Sequence, residues 1–492
     1  MVTQHPDHAG KPYWHNGKFI QSQFEAHEAF LSFSELNATE YKWDWEGKLV
    51  DESVLERLFG EHFEYFKKHP LGQEKFLTFR LPNPKVETEF RFGRALINMA
   101  SAASIARHFN LPSPPIFEVI LPMTQSAEEI LEIQKAYQQI HFLKHSLYKL
   151  DKILSNLRVI PLFEQTEVII KSSQILEKYL RLYKKRFKKT PPYLRPYLAR
   201  SDPALNSGIV PTILAIKIAL SRFRILEKKV KIPLFPIIGA AALPFRGGIS
   251  PKTVMEFANE YKGIRTTTIQ SAFRYDFKKP DVIKAIKELE EILPKQKAVL
   301  ISKNEEKNLF KIINVFEKYY KETIEDLAPL INKISQSIPK RRERVQHIGL
   351  FGYSRGIGKI KLPRAIPLTG SLYSIGIPPE LIGTGRGLKY LNIKQLKLLE
   401  KYYINLKSDL LKAGGFLNKN VLENLSKNTK FGSGIISDVQ AIEEYLGVEL
   451  SPLSKEEKLH QAISEKIYKN IKRNKPLTSL IEKAAVLRKS MG

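Results

Sequence analysis

A TIM (β/α)8 barrel carrying many additional helices, an α/β fold rich in helix overall, is what this 492-residue sequence predicts, from three observations. Short runs of β-forming residues alternate with longer helical ones through the first three quarters of the chain, the pattern of parallel βα units. Eight such runs occur, enough to close a barrel. Several end in a charged residue, and a barrel displays its reactive groups at the C-terminal ends of its strands.

In chain order the expected strands are 75–80, 117–121, 158–163, 194–199, 236–240, 265–270, 347–353 and 365–369. Helical patterns at 126–154, 172–187 and 212–229 lie between them. Residues 304–337 read as one or two long amphipathic helices, because apolar Leu309, Ile312, Ile313 and Phe316 recur at helical spacing. Beyond Asn392 the pattern is nearly all helical and ends in a helix over 477–491. The expectation is one domain over 1–492: an N-terminal segment 1–70, a barrel 71–390 with a helical insertion at about 277–345, and a helical region 391–492.

Composition narrows the function classes. With 43% hydrophobic residues the chain has material for a large core. The longest apolar run, 237–243, is far below the roughly 20 residues of a membrane span, so a soluble protein is expected. MVTQHPDHAG has neither the basic nor the apolar part of a secretory signal. Cysteine is absent, which excludes disulfides, thiolate metal sites and a cysteine nucleophile, and is compatible with a reducing cytosol. A net charge of +28 raises the possibility of a nucleic-acid partner. The lysines are instead scattered along helical segments with no RNA-binding motif, and read as solvated faces.

Two carboxylates stand out. VIPLFEQTE delivers Glu164 at the end of an apolar run, and RPYLARSDPALNSG delivers Asp202 after the next. A hard cation such as Mg²⁺ or Mn²⁺ takes one or two such carboxylates with water and substrate. The alternative is structural: Asp202 capping a helix, Glu164 paired with a lysine. Arginines form a second group. Arg246 sits in the glycine-rich FPIIGAAALPFRGGISP, Arg355 and Arg364 flank the turn of GYSRGIGKIKLPRAIP, and Arg80 ends the first expected strand. Guanidinium groups gathered at one barrel mouth imply an anionic ligand. Singly, each is more often a surface charge. In TQHPD, His5 stands in a polar turn near the chain start, as a general acid/base candidate or as part of a solvated tail.

Taken together, these segments resemble phosphoenolpyruvate carboxylases, most closely the short archaeal type. TQHPD, VIPLFEQTE, ARSDPALNSG, PFRGG, GYSR with LPRAIP, and the closing LRKSMG occur in the family's order from residue 3 to residue 492. The chain departs from the longer enzymes in reading GAAALPFRGG where they carry an extra His and Arg, in having Leu205 in place of a lysine, and in a shorter stretch between Arg355 and Arg364. The resemblance implies a carboxy-lyase that converts phosphoenolpyruvate and bicarbonate irreversibly to oxaloacetate and phosphate, through carboxyphosphate and the enolate of pyruvate. It implies Glu164 and Asp202 as ligands of Mg²⁺ or Mn²⁺, and His5 and Arg246 as catalytic residues. Arg80, Arg355 and Arg364 become substrate-binding residues. A cytoplasmic homotetramer that replenishes oxaloacetate for the tricarboxylic acid cycle is the implied setting, with no nucleic acid or membrane partner. Another metal-dependent barrel lyase acting on phosphoenolpyruvate or pyruvate is the nearest alternative, and a basic nucleic-acid-binding protein the more distant one.

Overall fold

The computed structural model describes the chain apart from residues 47–49, 84–86, 88–89, 143–156, 344–354, 358–359 and 428; for 141–142, 355–357, 360 and 430 it describes the backbone alone. Eight parallel strands run in sequence order: β1 (Val2–Thr3), β2 (Glu40–Asp44), β3 (Phe76–Arg80), β4 (Glu118–Leu121), β5 (Arg158–Phe163), β6 (Tyr197–Ala199), β7 (Ile237–Gly239) and β8 (Thr266–Thr267). Val2 pairs in parallel with Ile269, whose backbone exchanges bonds with Met1 and Thr3, so the last strand meets the first and the sheet closes. Each register places the strand C-termini at one mouth, as in Asp44 opposite Arg80 and Phe163 opposite Leu198.

Six of the eight expected strands are present. The other two positions are filled from the N-terminal segment. β1 is only two residues long, and β2 reads EYKWD, charged at every second position. Those charges face the barrel interior. Tyr41 and Trp43 face outward into the main apolar cluster against the surrounding helices, while Lys42 and Asp44 line the cavity at the mouth. The run at 365–369 is not a strand. It opens the helix Ala365–Ser374, with Arg364 at its N-cap, because β1 and β2 already complete the ring and the run packs instead with the C-terminal helices. The expected strand at 347–353 lies outside the described residues.

Helices cover the barrel. Thr166–Phe187 and Ile209–Val230 follow β5 and β6 and pack on each other. Lys303–Ser335 is a single helix rather than two, started by a capping box in which Ser302 Oγ accepts from the Glu305 N–H at 3.3 Å and Glu305 accepts from the Ser302 N–H at 3.1 Å. Its buried Leu309, Ile312, Ile313 and Phe316 join a second apolar cluster with the C-terminal helices. The helix expected over 477–491 ends at Leu487. The chain then turns back to the barrel mouth, where the Met491 N–H donates to the Asp7 carbonyl at 2.7 Å. No described helix is long and apolar enough to cross a membrane.

Candidate active site

A cavity of about 410 Å³ occupies the C-terminal mouth, and almost every strand end contributes to it. His5 lies just beyond β1, Asp44 ends β2 and Glu46 follows it, Arg80 ends β3, Glu164 follows β5, Asp202 follows β6, Arg246 follows β7 and Gln270 follows β8. Six of the seven residues singled out in the sequence thus line one space: His5, Arg80, Glu164, Asp202, Arg246 and Arg364. Arg364 is exposed at the rim, and the side chain of Arg355, on a two-stranded hairpin with Ile360–Leu362, lies outside the described residues.

The glycine-rich loop is held rigidly. Gly247 has φ +126°, and a Cβ there would lie 2.6 Å from the Ala240 Cβ; Gly248 has φ +72°. Glycine alone tolerates both requirements. Arg246 is presented on the short turn Pro244–Arg246, and its guanidinium donates to Gln270 Oε1 at 2.8 Å, Ser201 Oγ at 3.1 Å and the Gly492 carbonyl. Among the described residues it has one side-chain carboxylate contact, Asp7 at 3.4 Å, and that is long. Asp7 itself is turned to the Ala272 N–H at 2.8 Å and Ser271 Oγ at 3.0 Å, which pins the TQHPD turn to the segment after β8.

His5 is half-buried and lines the cavity, and its Nδ1 lies 2.9 Å from Thr3 Oγ1. Burial pushes the imidazole well below its ordinary pKa, and the nearby Lys42 charge adds to that shift. His5 is therefore neutral at neutral pH. With the proton on Nδ1 it donates to Thr3, and Nε2 is left as a proton acceptor. Arg80 is tied to both Asp44 and Glu46. Burial alone would raise the Asp44 pKa, but Arg80 and Lys42 outweigh it and hold the carboxylate ionised. Glu164 is buried and oriented by the Met123 N–H, which donates to Oε2 at 2.8 Å.

Glu164 and Asp202 are hard oxygen donors at neighbouring strand ends. No set of three His, Cys, Asp or Glu forms a metal cage among the described residues. Two carboxylates with the remaining positions left to water and substrate suit Mg²⁺ or Mn²⁺, which keep several waters and rarely sit in all-protein cages. The donor set fits such an ion.

Several cavity residues were not legible as site residues. Lys42 and Asp44 belong to the unrecognised strand β2 and Glu46 follows it; the period-2 alternation of EYKWDWE was the available signal. Arg200 supports the glycine-rich turn, donating to the Phe245 carbonyl at 2.9 Å, the Pro244 carbonyl at 3.2 Å and Tyr261 Oη at 2.9 Å. Arg341 and Arg342 form another wall, but Arg342 is committed to Glu28 at 2.6 Å and Arg341 to Glu482 at 2.8 Å.

A family model described as phosphoenolpyruvate carboxylase matches residues 1–492. A protein of Oenococcus oeni named phosphoenolpyruvate carboxylase is 39% identical over 497 residues, covering all of this chain and 98% of its own. One of the same name from Metallosphaera sedula is 38% identical, covering all of this chain and 99% of its own. A third, from Pyrococcus horikoshii, is 40% identical over 86% of this chain and 89% of its own. With matches of this extent and a barrel mouth that gathers the motif residues, the chain belongs to the phosphoenolpyruvate carboxylase family.

Proposed function

We infer that this chain carboxylates phosphoenolpyruvate with bicarbonate, giving oxaloacetate and phosphate in one direction. The observation that carries the reading is the convergence of His5, Glu164, Asp202 and Arg246 on one cavity at the barrel mouth. Glu164 and Asp202 would hold Mg²⁺ or Mn²⁺, which when bound supplies Lewis-acid stabilisation of developing enolate charge. A bicarbonate oxygen attacks phosphorus, the bond from phosphorus to the enol oxygen breaks, and carboxyphosphate and the enolate of pyruvate result. Arg246, held in place at the cavity, would offset the negative charge of the phosphoryl group without reorganising.

His5 Nε2 then takes the carboxyl proton of carboxyphosphate. The carbon–oxygen bond to phosphate breaks, releasing CO₂ and phosphate, and the imidazolium returns its proton to the phosphate. The enolate methylene carbon attacks CO₂ to form oxaloacetate. Arg80, Arg364 and Arg355 are proposed to bind the substrate's anionic groups. The walls formed by buried Leu162, Tyr197 and Ala199 keep the floor of the site dry, which protects the enolate from protonation. The setting we propose is a cytoplasmic homotetramer supplying oxaloacetate to central metabolism, with no nucleic-acid or membrane partner.

The purified protein supplied with Mg²⁺, phosphoenolpyruvate and bicarbonate is expected to form oxaloacetate, followed as NADH loss through an added malate dehydrogenase. Removing the divalent ion with EDTA should abolish turnover and adding Mg²⁺ back should restore it. Turnover of phosphoenolpyruvate that is indifferent to bicarbonate would favour another barrel lyase instead.

A further inference from the structure

We propose that Lys42 binds the carboxyl group contributed by bicarbonate and presents it to His5. This assigns one residue to one substrate, and it rests on the functional reading above.

The inward face of β2 carries Glu40, Lys42 and Asp44 in succession. Glu40 is taken up below by Arg195 at 2.7 Å and Thr78 Oγ1 at 2.6 Å. Asp44 is taken up above by Arg80. Lys42 sits between them, only 1% exposed, and lines the cavity. Among the described residues its ammonium has one ion-pair contact, Asp44 Oδ2 at 3.8 Å, and that is beyond hydrogen-bond length. An ammonium has three donors to satisfy, and burying it without acceptors is costly. The carboxylates above and below are turned to other partners. The remaining direction is the cavity, so an anion there would supply the acceptors that the protein withholds.

Which anion is decided by the neighbours. Lys42 lies opposite Thr3 in the β1–β2 register, and Thr3 is the residue that orients the His5 ring. Lys42 and His5 line the same cavity. An anion held by Lys42 therefore sits beside the proton acceptor. In the proposed chemistry the group that yields a proton to His5 is the carboxyl derived from bicarbonate. The ammonium donates to the oxygen that remains the carbonyl of carboxyphosphate and leaves the hydroxyl turned to Nε2. No bond-making step is added; the effect is on binding and orientation.

The test is steady-state kinetics of Lys42→Met and Lys42→Gln in the metal-loaded enzyme, with each substrate varied in turn. Losing a charge-assisted hydrogen bond is expected to raise the KM for bicarbonate about tenfold or more, while the KM for phosphoenolpyruvate stays within about twofold. Lys42→Arg should recover part of the bicarbonate affinity. A wild-type KM for bicarbonate in both neutral variants would overturn the assignment. So would an equal rise in both KM values, which marks a structural role. If neither neutral variant folds, Lys42→Arg decides: a rise confined to the KM for bicarbonate supports the assignment, and wild-type values for both substrates or an equal rise in both overturn it. If the wild-type protein makes no oxaloacetate at all, the functional reading fails first, and the assignment fails with it.

Discussion

His5 shows how a residue near the chain start becomes a base. Its backbone carbonyl accepts from Ser271 Oγ at 2.5 Å, and its ring is set by Thr3, so His5 is positioned by β1 and by the segment after β8 at once. The folded-state pKa is depressed below 6.5, so the neutral, proton-accepting form persists to lower pH than for a free histidine. Loss of kcat/KM through protonation of this group should therefore fall below pH 6.5, not at it. The His5→Asn variant is expected to lose oxaloacetate formation by roughly 10²–10⁴-fold, the usual worth of a general base, while keeping bicarbonate-dependent phosphate release. Oxaloacetate production at the wild-type rate would remove His5 from the mechanism. At this scale the motif residues were legible because each is a charged or titratable group at a strand end. Lys42 was not, because a lone lysine between aromatic residues looks like any surface lysine until its strand is known.

At the scale of elements, the glycine-rich turn depends on groups far away in the sequence. Arg200 holds two of its carbonyls, and Glu380 accepts from the Phe245 N–H and from Tyr373 Oη, both at 2.7 Å. Burial pushes the Glu380 carboxyl up to about 7, from 4.5. A folded-state pKa raised above the unfolded value means that the group's contribution is fully present below 4.5 and is lost as pH rises through about 7. Glu380→Gln keeps an acceptor and removes the titration. Its melting temperature is expected to fall less than that of the wild type between roughly pH 5 and 7. Parallel curves would show that Glu380 does not titrate in this window. PFRGG advertised the turn through its glycines, but nothing local to it names Arg200 or Glu380, since such anchors are set by tertiary packing. The same limit explains the run at 365–369: a short apolar stretch fits a strand or a buried helix equally well, and only the completed ring of strands decides it.

The whole molecule is closed at its N-terminal segment. β1 and β2 complete the barrel and bring His5, Lys42, Asp44 and Glu46 to the mouth, and residues 490–492 return there to meet Asp7 and Arg246. The barrel class was readable from the βα alternation, whereas a two-residue strand has no periodicity to read. The convergence of these distant segments on one cavity underlies the central claim, that bicarbonate itself attacks the phosphoryl group and His5 then releases CO₂ beside the enolate. Turnover of ¹⁸O-labelled bicarbonate, sampled by mass spectrometry before label exchanges with water, tests it most directly. One labelled oxygen should appear in the phosphate and two in the new carboxylate of oxaloacetate; unlabelled phosphate would contradict the account.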